Sequence, residues 1–402
     1  MRALFRLRDF RWLSANMACA SIGMMGEVVV LGWLALELTN SPFLVGLAMG
    51  ARALPLFFVG VPAGVLADRW PRHRLLMITA VGQAVATAGT GVVILSDALQ
   101  LPQLLALTLA SGTLRGVEHA ARQSYAHDVV GGAGLMRGLA VLGLAMRGGW
   151  LVGSLGAGVV IAALGSGVAY LAVAATYLLS ALALLPVTAP PRAAARATDS
   201  MWRNVVDFAG LLRRDAMLLA LMVLTAGAEV LGFSHQTLLP SLARDVLKTG
   251  PEGLGVLNAA RSVGGIVGLL ATMHGGAMGA GRGGGLFLAV LAGFGVSLMA
   301  LGAAPYAVGF TGVVLVLIAA NALGALTDLL AQSLLQLTSP PELRGRAGGA
   351  WVVAIGLAPL GQLQIGALAS LVGVSAALAA SGLALVGLAA GTLRVFPRLR
   401  RP

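Results

Sequence analysis

A single cysteine, Cys19, leaves the chain without an intrachain disulfide or a thiolate metal centre. Its place in the first apolar stretch suits a small buried hydrophobe. Charge is scarce as well. Only 10% of the residues are charged against 58% hydrophobic, and mean hydropathy is +0.90. A soluble chain of 402 residues needs more polar surface than this, so most of it must lie in lipid. No Gly-x-x-x-x-Gly-Lys-Ser/Thr loop is present to hold a nucleotide, which argues against an ATP-driven machine. No His, Cys or carboxylate spacing suits a metal, and no cofactor is implied. His119, His127 and His235 stand on separate segments, so the nucleophile–base pairing of an enzyme is missing too. The net charge of +12 does not point to nucleic acid, because the arginines are spread over many short loops and no polar domain presents a basic face.

What is present is a series of apolar windows, each about 20 residues long, the length that crosses a bilayer. Twelve are predicted, at 13–36, 42–67, 75–96, 102–121, 139–163, 168–187, 216–240, 253–273, 285–303, 307–331, 349–371 and 375–393. The basic, then apolar, N-terminal stretch superficially resembles a signal peptide. Eleven further spans and Glu27 inside the first argue for a retained helix. Residues 188–215 differ from the rest: Pro190-Pro191, five arginines and little apolar periodicity mark a linker. The expected domains are therefore an N-terminal six-helix bundle (1–187), a cytoplasmic linker (188–215) and a C-terminal six-helix bundle (216–402). The fold class is an all-α membrane protein. Of the 27 Lys and Arg, only Arg244 and Lys248 fall in outward loops and four fall within spans, so the positive-inside rule places both termini in the cytoplasm. The 56 glycines suit close packing and bending of membrane helices.

The two halves repeat. A shift of 208 lays Gly148, Gly153, Gly158 and Gly165 on Gly356, Gly361, Gly366 and Gly373. A shift of 209 lays Gly46 on Gly255, Arg52 on Arg261 and Gln123-Ser124 on Gln332-Ser333.

Nine ionisable residues fall within spans: Glu27, Arg52, Arg115, Glu118, Arg147, Glu229, His235, Arg261 and Asp328. Each costs about 2.5–3.5 kcal/mol at a helix centre, so they should face protein or water and pair. They occupy spans 1, 2, 4, 5, 7, 8 and 10. Spans 3, 6, 9 and 12 hold none and can face lipid, leaving the others to surround a central cavity. Depth predicts a pair between Glu27 and Arg52, and a similar relation between Glu229 and Arg261. His119 joins the inner group at its boundary. An acid held between arginines and a wet cavity can change protonation as access alternates. A static role stays open for Glu27–Arg52, and His235 reads as a satisfied polar residue rather than a ligand. Four acids against four arginines nearly cancel, which suits an apolar or weakly charged substrate.

Gly64-Val-Leu-Ala-Asp-Arg-Trp-Pro-Arg-His-Arg-Leu-Leu76 forms a tight basic connection between the second and third spans. It resembles the loop signature of the major facilitator superfamily, Gly-x-x-x-Asp-Arg-x-Gly-Arg-Arg/Lys. Gly64, Asp68, Arg69, Arg72 and Arg74 match, whereas Pro71 and His73 depart from it. Arg115-Gly-Val-Glu118-His119 is similar to the fourth-span Arg-x-x-Gln-Gly motif of proton-coupled members. Gly149-x-x-x-Gly153-Ser154-x-Gly156-x-Gly158 is similar to the fifth-span antiporter motif, with Ser154 where the family has Pro. Pro341-Glu-Leu-Arg-Gly-Arg346 and Ala358-Pro-Leu-Gly361 resemble the branch holding enterobactin and macrolide exporters.

The resemblance implies two pseudo-symmetric six-helix bundles, with Gly64, Asp68, Arg69, Arg72 and Arg74 as a gating loop. It also implies a monomeric secondary transporter of the cell inner membrane, an antiporter-like efflux protein whose partners are protons, a small-molecule substrate such as a drug or siderophore, and the lipid bilayer. An uptake symporter, a lipid flippase and a non-transport scaffold are the alternatives.

Overall fold

The computed structural model describes residues 7–130, 135–187, 210, 216–274, 283–338 and 354–396, and among them every regular element is helical. In chain order these are α1 (Arg8–Thr39), α2 (Pro42–Arg69), α3 (Arg72–Leu95), α4 (Leu101–Val130), α5 (Leu135–Leu182), α6 (Ala216–Gly227), α7 (Gly250–His274), α8 (Gly283–Ala307), α9 (Gly309–Thr338), α10 (Ala358–Val372) and α11 (Val374–Val395). Short irregular turns carry α6 onward, a π turn at Ala228–Gly232 and a 3-10 turn at Phe233–Leu238 among them. Eight of the helical stretches are long and apolar enough to cross a membrane, and Pro42–Leu56 and Ala358–Val372 are shorter apolar helices. The linker at 188–215, apart from residue 210, and the loop at 339–353 lie outside the described residues.

The fifth and sixth spans form one run, α5, interrupted at Gly165, where φ is 82° and ψ is 171°. Gly373, between α10 and α11, has φ 88° and ψ 161°. These are the residues that the 208 shift superposes, and both occupy a backbone region that only glycine enters at low cost. Gly165→Ala and Gly373→Ala should each lower stability by about 1–3 kcal/mol, read by denaturation in detergent. Gly89→Ala, with no neighbouring atom within 4 Å, should leave it unchanged.

Large aliphatic side chains are exposed on the four charge-free spans, at Val85 and Val92 on α3, Leu178 and Leu182 late in α5, Leu286 and Val296 on α8, and Leu383 and Val395 on α11, and also on charged ones, at Val152 and Val159 early in α5, Leu219 and Val223 on α6 and Leu315 on α9. In water such surfaces would be costly, and against acyl chains they are not.

The chain divides into two compact units. One comprises Met1–Asn40, Ala51–Arg196 and Thr249–Ala259, and the other Ser41–Gly50, Ala197–Lys248 and Ala260–Pro402. In the first, α1 lies along α5, and α3 packs on α4 and α5. The Gly149-x-x-x-Gly153 pair makes the α1–α5 crossing: a Cβ on Gly149 would stand 2.8 Å from the Ala18 carbonyl oxygen, and one on Gly153 would collide with that of Ile22. Small residues at this spacing let backbones touch. Phe10, Leu13, Leu75, Leu76, Tyr125 and Leu184 fill an apolar core in the same unit. In the second unit Gly361 packs on Val230, a Cβ there falling 2.6 Å from the Val230 carbonyl oxygen. Ile22–Gly153 and Val230–Gly361 are the same contact displaced by 208 residues. Likewise Gly158 meets Pro251 within the first unit, and Gly366 meets Pro42 within the second, a Cβ at either glycine lying 2.7 Å from the proline oxygen.

Candidate functional site

Polar groups inside the first unit gather along one stripe of α4. Ser111, Arg115, Glu118 and Arg122 follow one another at spacings of four, three and four, which is one face of an α-helix. Ser111 Oγ donates to Glu27 Oε1 at 2.6 Å, and Tyr177 OH donates to Glu27 Oε2 at 2.9 Å. Arg52 Nη2 completes the shell, 3.3 Å from Oε2, and it also donates to the Met24 carbonyl. The pair expected from depth is therefore formed, with Glu27 only 3% exposed. The α1–α2 hairpin that brings it together turns on Asn40, whose φ of 49° is the left-handed conformation asparagine tolerates.

A second knot lies further along α4. Arg122 is ion-paired with Glu118 one turn earlier and donates to Asn16 Oδ1 at 3.0 Å. Gln83 Nε2 donates to Glu118 Oε2 at 2.9 Å, and Asn16 Nδ2 donates to Ser180 Oγ at 2.7 Å. Arg122, Gln83, Asn16, Ser111 and Tyr177 are absent from the residues expected to carry function. The signal for Arg122 was its i,i+4 spacing from Glu118. The apolar window of the fourth span stops at residue 121, whereas α4 runs on to Val130, so Arg122 falls outside the window. Between the two knots stands Arg115, whose guanidinium donates to the Met24 sulfur. Arg147 lies over the Trp150 ring, 6.0 Å from its centroid. His119 is exposed.

In the second unit the expected relation of Glu229 to Arg261 is not found. Arg261 donates instead to Gln236 Oε1. The physical reason is a register change. Ile22–Gly153 and Val230–Gly361 obey a shift of 208, whereas Glu27–Arg52 and Gln236–Arg261 obey 209. The extra residue falls by the π turn Ala228–Gly232, whose wider loop accommodates it. Gln236 thus occupies the place of Glu27, and Glu229 is carried to the π turn itself. There its partly buried carboxylate has no hydrogen-bond donor or ion-pair partner among the described residues. Its electrostatic neighbour is another acid, Asp328 on α9. His235 is fully buried. Its Nδ1–H donates to the Gly232 carbonyl at 2.8 Å, Nε2 faces Asn321 Nδ2 at 3.4 Å, and the ring stands edge-on to Phe294. Both nitrogens are thereby occupied in fixing the irregular helix.

Of the gating-loop residues, the side chains of Gly64, Asp68 and Arg69 lie outside the described residues. Arg72 and Arg74 open α3, with Pro71 at its N-cap. His73 Nε2–H donates to the Leu184 carbonyl at 2.8 Å, so the residue that departs from the motif ties the loop to the end of α5.

Removing one partner of a buried ion pair typically costs about 3–5 kcal/mol, because the other charge is stranded. Arg52→Leu should show a loss of that size in denaturation, and Arg52→Leu with Glu27→Leu should recover part of it. Recovery without any return of transport would give the pair a part in the cycle besides holding the hairpin.

Comparison with known proteins is consistent with this architecture. The family model for the Major Facilitator Superfamily matches residues 12–361. The enterobactin exporter EntS of Citrobacter koseri is 29% identical over 391 residues, spanning 94% of this chain and 89% of that protein. The EntS of Salmonella choleraesuis is 28% identical, spanning 97% and 92%. The staphyloferrin A transporter of Staphylococcus aureus is 26% identical over 256 residues, and the match spans 62% of its length. Among solved structures, the nucleoside transporter NupG superposes with a TM-score of 0.73 at 14% identity, covering 96% of this chain and 98% of that one. A bacterial homolog of the human lysosomal transporter Spinster gives 0.75 at 14% identity, covering 97% of each. At such identities the likeness is one of fold.

Proposed function

The chain belongs to the major facilitator superfamily, and on that premise we propose that it is a proton-coupled exporter of amphipathic, siderophore-like small molecules. It is a transport protein and not an enzyme, threaded many times through its membrane. In this reading it resides in the inner membrane with both termini cytoplasmic, works as a monomer by alternating access, and uses no cofactor. Export is favoured over uptake by the enterobactin exporters that match nearly the whole chain.

One observation supports the coupling: Glu229, at membrane depth, on a π turn, with Asp328 nearby and no cation paired with it among the described residues. A charged carboxylate near a helix centre costs about 2.5–3.5 kcal/mol, a cost that binding a proton removes. Glu27 and Glu118 are held by Arg52 and Arg122 and gain far less from a proton. Glu229 therefore takes a proton from the outer side as substrate leaves and releases it inside, with Asp328 disfavouring full ionisation of the two acids together. The π turn gives that part of the helix a local geometry able to change between states.

The test uses inverted membrane vesicles, whose lumen corresponds to the cell exterior and is acidified by respiration. Enterobactin should accumulate in the lumen and leak out when a protonophore collapses the gradient. Accumulation only in right-side-out vesicles would establish uptake instead.

A further inference from the structure

Resting on the transporter reading above, we infer that the substrate is an amphipathic organic oxyanion, a carboxylate or a phenolate, and that Arg115 receives its negative charge. The sequence expectation of near-cancelling charge and an apolar or weakly charged substrate sharpens once the pairs are visible. Among the described residues inside the first unit, α1, α2 and α4 contribute three guanidinium groups, Arg52, Arg115 and Arg122, and two carboxylates, Glu27 and Glu118, while Arg147 of α5 stacks on Trp150. Both carboxylates are engaged: Glu27 by Arg52, Ser111 and Tyr177, and Glu118 by Arg122 and Gln83. Of the three, Arg115 is the cation left over. Among the described residues it makes no direct ion pair with a carboxylate, Glu27 and Glu118 acting on it only at longer range, and its hydrogen-bond acceptor is the Met24 thioether, a weak one.

The placement of Arg115 adds to this. It lies on the same α4 stripe as Ser111 and Glu118, flanked on each side by a neutralised knot, and it is partly accessible rather than sealed. A guanidinium at membrane depth with no carboxylate in direct contact is unfavourable. An incoming oxyanion removes that penalty, and the planar fork of donors fits the two oxygens of a carboxylate in a bidentate pair. Neutral or cationic compounds gain nothing there, so the residue selects by charge.

Two probes of equal shape separate charge from hydrophobicity: 2-naphthoate and its neutral counterpart 2-naphthamide. Their binding is measured by equilibrium dialysis against the full chain in lipid nanodiscs. The wild type should prefer the naphthoate by at least about tenfold, the range expected of a charge-assisted hydrogen-bond pair. Arg115→Gln should weaken naphthoate binding by about 10–100-fold and leave naphthamide unchanged. Arg115→Lys, which keeps the charge and loses the fork, should retain part of the preference. If Arg115→Gln does not fold, the wild-type preference and the Arg115→Lys value decide the question.

Equal affinity for both probes, binding of neither by the wild type, or undiminished preference in Arg115→Gln would overturn the assignment. Enterobactin accumulation in inverted vesicles reports separately on export. Proton-driven accumulation with no anion preference sinks the Arg115 inference alone. Anion preference without proton-driven accumulation sinks the exporter reading alone.

Discussion

Replacing Glu229 by Gln should abolish proton-driven accumulation of enterobactin in inverted vesicles, a loss of at least about 100-fold, while exchange of substrate for substrate continues. The size follows from the role: exchange needs only that the two access states interconvert with substrate bound. Uphill transport needs a group that changes charge once per cycle, and glutamine matches the shape of the protonated acid but cannot lose a proton. A drop of about 100-fold is on the order of 2.7 kcal/mol, close to what insertion scales assign to a carboxylate at a helix centre. Asp328→Asn should give a smaller defect, because it removes the repulsion acting on Glu229 and leaves the titrating group in place. A Glu229→Gln protein that still concentrates substrate would move the coupling elsewhere, with Asp328 next to examine. Comparable loss of exchange and uphill transport would mean that Glu229 is needed for the conformational step itself.

The second large effect is structural. Gly153→Val should destabilise the protein by at least about 3 kcal/mol and sharply lower the yield of folded protein, because any Cβ at this position runs into the Ile22 carbonyl. The obstruction is backbone and cannot rotate away, so α1 and α5 must separate along their length. Gly361→Val should behave alike in the second unit, where the obstruction is Val230. Gly156→Ala, within the same glycine-rich motif, meets nothing within 4 Å and should be tolerated. Thermal unfolding of the three purified variants checks the contrast. Equal tolerance at Gly153 and Gly156 would mean that the motif serves bending and not contact.

Much of this architecture is legible in the amino-acid sequence. Apolar windows located the spans, and glycines at a constant offset exposed the repeat. The absence of charge from spans 3, 6, 9 and 12 does not set them apart by exposure, because the charged spans carry exposed aliphatic side chains as well. The Glu27–Arg52 pair followed from equal depth in one hairpin. Depth failed for Glu229 because it assumes a uniform rise per residue, and the π turn breaks that uniformity. The sequence did hold a better clue. Arg52 follows Glu27 by 25 residues, and Arg261 follows Gln236 by the same 25, so the repeat pointed to glutamine all along. Tyr177, Ser111 and Gln83 were beyond reach for another reason. Hydroxyl and amide groups are common in membrane helices, and nothing local distinguishes those that meet a carboxylate from those that bond back to their own helix, as Thr79 and Thr87 do.

Exchange of protons for substrate in opposite directions is tested most directly in proteoliposomes of the purified chain. They are loaded with enterobactin and a pH-sensitive dye, then diluted into substrate-free buffer at the same pH. As substrate leaves, protons should enter and the lumen should acidify in the wild type, and the pH should stay constant in Glu229→Gln. A lumen that turns alkaline as substrate departs, or a wild-type pH that does not move, would contradict proton antiport.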